Sequence, residues 1–168
     1  MTALRVLFVV LTTVGFSTTA PAQTAKKLFF EGDIVVGDQP GVPGPGCVLR
    51  SQFKRLEKVV WRIRVLDANG NRLDAKGLKN LEVQLPDGQK FAARYGVHPP
   101  PRLGPAEDYF WTAAWTIPES YPSGTFAYKV IATDLDDQTH TWEPFTRSVS
   151  QLQVIAGAIE RPQPQPKK

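Results

Sequence analysis

This chain has one cysteine, two histidines and no helical repeat. The lone cysteine, Cys47, cannot close an internal disulfide. Nor can it attach haem, which needs two cysteines followed by a histidine. It also lies too far along the chain to be a lipidated N-terminus. The ordinary state of such a residue is a small buried apolar group. Apolar spacing never follows a 3.6-residue period for a useful length, and only Asp74–Leu78 has the composition of one short turn. No apolar run reaches the roughly 20 residues that span a bilayer. A concentrated basic stripe is missing too. The net charge is +4, and although Arg50, Lys54, Arg55, Lys58, Arg62 and Arg64 cluster, Glu57 and Asp67 interrupt them. Nucleic-acid affinity scales with the phosphates neutralised, so the cluster reads as the wet face of a strand and no nucleic-acid partner is expected.

The start of the chain is the most informative stretch present. Met1–Arg5 carries one positive side chain, Val6–Phe16 is apolar apart from Thr12, Thr13 and Gly15, and Ala20-Pro21-Ala22 ends the stretch with a small-x-small pattern. That is the layout of a secretory signal peptide over residues 1–22, cleaved after Ala22. The expected destination is the periplasm or the extracellular medium, with no membrane span after cleavage. The chain from Gln23 onward has the length of one domain. A chain of that size buries roughly two-thirds of its unfolded surface, so it needs no metal or disulfide staple, and no cofactor is expected.

Strand patterns fill that domain, residues 23–156. In Val59–Leu66, Val59, Trp61, Ile63 and Val65 alternate with a second set that carries Arg62 and Arg64, giving one dry face and one wet face. Asn69-Gly70 supplies a turn. Leu81, Val83 and Leu85 repeat the alternation, Pro86-Asp87-Gly88 turns the chain, and Phe91, Ala93 and Tyr95 continue as a hairpin partner. Tyr109–Ile117 is a dense aromatic strand and Thr125–Asp134 another. Residues 27–36 open the domain with a kink at Gly32, 47–53 form a short edge strand, and 140–155 hold a last strand or pair of strands broken near Pro144. Residues 37–46 and 96–108 are loops by their proline and glycine content. Residues 157–168 are proline-rich without a core pattern and read as a loose, disordered tail. Seven to eight strands separated by turns predict an all-β antiparallel sandwich with proline-rich loops, a closed barrel being the alternative.

Pro122–Asp134 (PSGTFAYKVIATD), with its core Tyr128-Lys129-Val130-Ile131-Ala132-Thr133-Asp134, resembles the F-strand region of immunoglobulin-like and fibronectin type III-like domains. Val59–Asn71 resembles their B strand leaving through a short turn. The likeness spans residues 55–155 in layout. It implies an immunoglobulin-like sandwich in which the Tyr128 hydroxyl bonds back to the corner backbone. The paired inter-sheet cysteines of antibody domains are missing. Such a fold hosts many functions and supplies none by itself.

Chemistry-bearing constellations are sparse. His98 and His140 sit in loops or turns, and with Cys47 they form a conceivable copper or zinc set, though none of the three has ligand spacing to another. Asp134, Asp136 and Asp137 resemble a calcium-ligand run but lack the glycine and terminal glutamate of an EF-hand. No Gly-x-Ser-x-Gly elbow exists. Aromatics are the richer signal: Trp111 and Trp115 fall on one strand face, as core or, if exposed, as a platform for a sugar ring or partner protein. The loop end near Pro99, Pro100, Pro101, Arg102 and Trp142 offers a stiffened contact surface. The expected binding residues are therefore Arg102, Trp111, Trp115 and Trp142. The expected function is an exported, non-enzymatic binding or accessory module for another envelope protein or a small ligand. The alternative is a small periplasmic metal- or redox-associated protein using Cys47, His98 and His140. Intact mass of exported material tests the leader: the chain should begin at Gln23, and a product retaining Met1 would refute it.

Overall fold

The structure is a computed structural model that describes residues 26–38, 48–97, 108–144 and 151–159. The described residues are all-β, with no helix and eleven strands in three sheets. The first sheet runs β1 (Phe29–Val36), β3 (Lys58–Leu66), β7 (Tyr109–Thr116), β6 (Arg94–Val97). The second runs β10 (Thr139–Trp142), β9 (Lys129–Asp134), β4 (Leu78–Gln84), β5 (Lys90–Ala92). The third has β11 (Leu152–Ala158) between β2 (Gln52–Arg55) and β8 (Gly124–Phe126).

Period-two alternation builds the core. On β3, Val59, Trp61, Ile63 and Val65 are all buried, and on β7 Trp111, Ala113 and Trp115 are their neighbours, with Ile117 just beyond the strand. Leu81 and Val83 of β4 and Val130 and Ala132 of β9 close the opposite side. Trp61 joins the two layers. Its ring stacks on Phe91 of β5 (centroids 5.7 Å apart) and on Trp115 of β7 (6.5 Å), and meets Tyr128 edge-on (6.0 Å). This is the arrangement of two sheets packed face to face over one apolar layer.

Eleven strands stand where seven or eight are expected, in part because two predicted strands change sheet partway. The stretch through Phe91, Ala93 and Tyr95 splits at Ala93: β5 pairs with β4 and β6 pairs with β7. Thr125–Asp134 splits likewise, β8 pairing with β11 and β9 with β4. Alternation along one chain cannot register a change of pairing partner. The pairing is also not purely antiparallel, since β11 runs parallel to β2. Parallel neighbours need a long crossover, which about a hundred intervening residues provide. β11 extends to Ala158, so the strand takes in Gly157 and Ala158 from the stretch read as tail. Ile159 follows and donates to the Arg55 carbonyl (3.3 Å); residues 160–168 of the tail lie outside the described residues, as do the leader and most of both proline-rich loops.

The expected kink at Gly32 is not formed: β1 pairs with β3 in unbroken register from Phe29 to Val36. The expected turns are present. Gly70 takes φ +82°, a region open to glycine, and Asp74 accepts the N–H groups of Lys76 and Gly77 in a single turn before β4. Tyr128 is buried, but among the described residues its hydroxyl makes no corner hydrogen bond. Tyr121 instead donates its hydroxyl to Asp87 (3.1 Å) while its ring packs edge-on against Trp115 (4.8 Å). Burial, with the bond to Asp87, pushes the Tyr121 hydroxyl up to about 12.

Because Trp61 is fully buried between both layers, Trp61→Ala should cost about 3–5 kcal/mol of unfolding free energy, read as a lower urea midpoint at unchanged slope. A loss under about 1 kcal/mol would refute its place as the inter-sheet tie.

Candidate functional site

The two main sheets end together along one rim, where β1 is the edge strand of the first and β10 of the second. Alternation brings Phe30 and Gly32 of β1 and His140 and Trp142 of β10 to this rim. Trp142 lies parallel to the Phe30 ring, with centroids 6.2 Å apart and planes 5° from parallel. A Cβ at position 32 would stand 3.0 Å from Trp142 Cζ3, so glycine is what lets the indole lie flat across β1. Trp142 thereby crosses from one sheet to the other, half-buried. Beside it is an open depression of about 430 Å³, also lined by Lys26, Lys27, Leu28, Phe29 and Thr141. Phe29 is 45% exposed, and the Lys27 ammonium stands 5.0 Å from its ring centroid, a cation–π distance.

One lining residue of this depression, His140, is held by a buried acid. Asp134 has no exposure, yet its Oδ1 accepts the N–H groups of Asp136 and Gln138 (both 2.9 Å), and its Oδ2 lies 2.9 Å from His140 Nε2. The hydrogen bond from His140, with those backbone N–H groups, holds its carboxyl below the usual aspartate value although burial works the other way. Asp137 adopts φ +62° in this turn and pairs with Lys79 (2.7 Å). Two members of the acidic run thus shape the β9–β10 turn and pair across to β4. The dyad fixes His140, and no described hydroxyl or thiol bonds to the histidine.

Elsewhere charge is matched within the fold. Arg62 makes a bidentate pair with Asp33 (2.7 and 2.5 Å), its register partner across β1 and β3. Arg64 pairs with Asp108, which also accepts from Arg72 (2.9 Å). Both Arg62 and Arg64 lie over the Phe110 ring, at 5.2 and 4.5 Å. Arg50 pairs with Glu57 beside a second open depression of about 390 Å³ near Ile155. Arg55 donates to the Tyr121 carbonyl (2.7 Å). The sequence cluster of basic residues is therefore largely neutralised at its arginines.

Of the residues singled out from sequence, Trp142 and His140 come together at the rim. Trp111 and Trp115 form no exposed platform: they are 5% and 8% exposed. Their strand face is the one the second sheet covers, and Trp111 Nε1 donates inward to the Leu73 carbonyl (2.9 Å). Arg102, Cys47 and His98 lie outside the described residues, so the structure speaks to the mixed metal set only at His140. Sequence reasoning does not find Lys26, Lys27, Phe29 and Phe30 as site residues. Their signal is a basic pair running straight into two phenylalanines, which carries meaning only once β10 is known to lie alongside. No family model matches the chain, and no curated protein matches it either.

The lowered Asp134 value gives a sign. The unfolded side chain takes up its proton near pH 3.9, the folded one only at lower pH. Its stabilisation is therefore complete above the unfolded value and is lost as pH falls through the folded one. Asp134→Asn should lower the urea midpoint at neutral pH and make the loss of stability as pH falls below the ordinary aspartate range shallower. An unchanged acid limb would refute the assignment.

Proposed function

We propose that this chain is an exported immunoglobulin-like binding module without enzymatic chemistry of its own, and that it holds another envelope protein or a ligand at the β1–β10 rim. The observation that carries this is the rim: an indole laid across two sheet edges, with a 45%-exposed phenylalanine beside it and two lysines at its mouth. Exposed large apolar groups next to charge are the composition of an interaction surface. The strand orders support the fold assignment. β1-β3-β7-β6 follows the first, second, fifth and fourth strands of an immunoglobulin sheet, and β10-β9-β4-β5 follows the G, F, C and C′ strands of its partner. In that frame β3 takes the B place and β9 the F place, as the two sequence segments imply. The layout of residues 1–22 supports export. His140 is tied to a buried carboxylate that also organises the β9–β10 turn, which supports a structural role for the histidine.

The test is co-purification of the tagged full chain from its source cell's envelope fraction, with Trp142→Ala and Arg102→Ala as variants and a thermal melt to confirm folding. A partner that accompanies the wild type should be lost with Trp142→Ala and depleted with Arg102→Ala. A partner retained by both folded variants, or none with the wild type, would overturn the proposal.

A further inference from the structure

Resting on the reading of the rim as a docking surface, we infer that its occupant is an acidic, extended polypeptide segment of a partner protein, added as a strand to the free edge of β10. Three independent features converge on this. The first is backbone. β10 is the edge of its sheet, and no described strand pairs with its outer side, so alternate residues turn their N–H and C=O groups outward. The β1 edge is less open, because Val36 and Ile34 bond to Val48 and Arg50 (3.0 and 3.1 Å). Strand addition to an exposed edge is a general way to bind an extended peptide, with alternate side chains read by adjacent pockets.

The second feature is shape. A strand added to β10 sends every other side chain to the face shared by His140 and Trp142, into the depression between the sheets. That space is walled by Phe29, Phe30 and Trp142, which suits apolar side chains in the inserted segment.

The third is charge. Lys26 and Lys27 are exposed at the mouth, and neither joins an ion pair among the described residues. Lys26 faces Asp67 electrostatically, and three further acids are engaged within the chain. Asp134 is held by His140 and the turn, Glu143 pairs with Lys129 (2.8 Å), and Glu31 faces Arg64 (3.6 Å). The Lys27 ammonium has no carboxylate partner among the described residues and stands over Phe29, so the complement at the mouth is acidic. By contrast, the arginines of the β3 face meet aspartates of this same chain and leave little charge for a partner.

Fluorescence polarisation on the full chain with short labelled peptides tests this. A peptide alternating glutamate with valine should bind, and binding should weaken as salt rises. Lys26→Glu with Lys27→Glu should weaken it at least about tenfold, each exposed pair contributing up to about fivefold. Lys76→Glu, in the turn before β4, should leave it unchanged. The same peptide N-methylated on its pairing edge should lose binding, and one alternating lysine with valine should not bind. Failure of the glutamate peptide to bind, equal binding of the N-methylated or lysine peptides, or indifference to the lysine reversals would each overturn the inference. Envelope co-purification with the same reversals separates the two proposals. A partner lost with Trp142→Ala but kept with the reversals refutes the acidic segment and leaves the binding module standing. If no partner depends on Trp142, the reading beneath both falls.

Discussion

Trp61 holds the two main sheets in one structure. It has no exposure, and its indole N–H has no hydrogen-bond acceptor among the described residues. Leaving such a group unpaired in the interior costs on the order of 1–3 kcal/mol. Its position is held by the rings around it: Phe91 and Tyr128 from the second layer, and Trp115 from its own. Burying an aromatic surface of that size outweighs one unsatisfied donor. The rest of the architecture depends on this tie. β3 must be central in its sheet to carry Trp61 inward, which leaves β1 on one flank and β7 and β6 on the other. β1 is then an edge, and it meets β10 at the rim.

The charged face of β3 shows why composition alone is a poor guide to partners. Six basic residues between Arg50 and Arg64 are an invitation to look for an acidic ligand. Yet antiparallel pairing sets Asp33 opposite Arg62 and Glu31 opposite Arg64, and Asp108 comes up from the start of β7 to meet Arg64 and Arg72. Cross-strand pairs of opposite charge stabilise a sheet modestly. Here they also use up the charge. Lys26 and Lys27 precede the strand, where no register partner is assigned to them; Lys26 faces Asp67 and Lys27 lies over Phe29.

The features legible in the sequence are those that depend on a single strand. The alternation on β3 and β7 places Trp61, Ile63, Trp111 and Trp115 on core faces without any structure. The turns at Gly70 and at Pro86-Asp87-Gly88 are legible from local backbone chemistry. Pairing is not legible. Nothing in Lys90–Val97 distinguishes one strand from two halves in different sheets, because the alternation runs on through Ala93. Gly32 has the same lesson. A glycine within a strand reads as a kink or bulge, but its cause here is Trp142, 110 residues further on. The site is half visible for the same reason. Trp142 stands out as an aromatic, whereas Phe29 and Phe30 look like ordinary strand residues until β10 is laid beside them.

The two rims of the sandwich are closed by different means, and this gives the β1–β10 side its opportunity. At the β5–β6 rim the chain itself crosses from one sheet to the other through Ala93, which is buried and bonds back to the Leu81 carbonyl (2.8 Å). A covalent crossing of that kind leaves little room for another chain. At the opposite rim no described backbone crosses between β1 and β10, and the layers are bridged by side chains, chiefly Trp142 over Phe30 and Gly32. A side-chain bridge excludes water from the core while leaving the outer backbone of β10 without a strand partner among the described residues. A strand of only four residues is short enough to limit unwanted pairing. Two lysines stand at its mouth. On the binding proposed above, an edge closed to water but open to a complementary strand would combine stability of the fold with capacity for a partner.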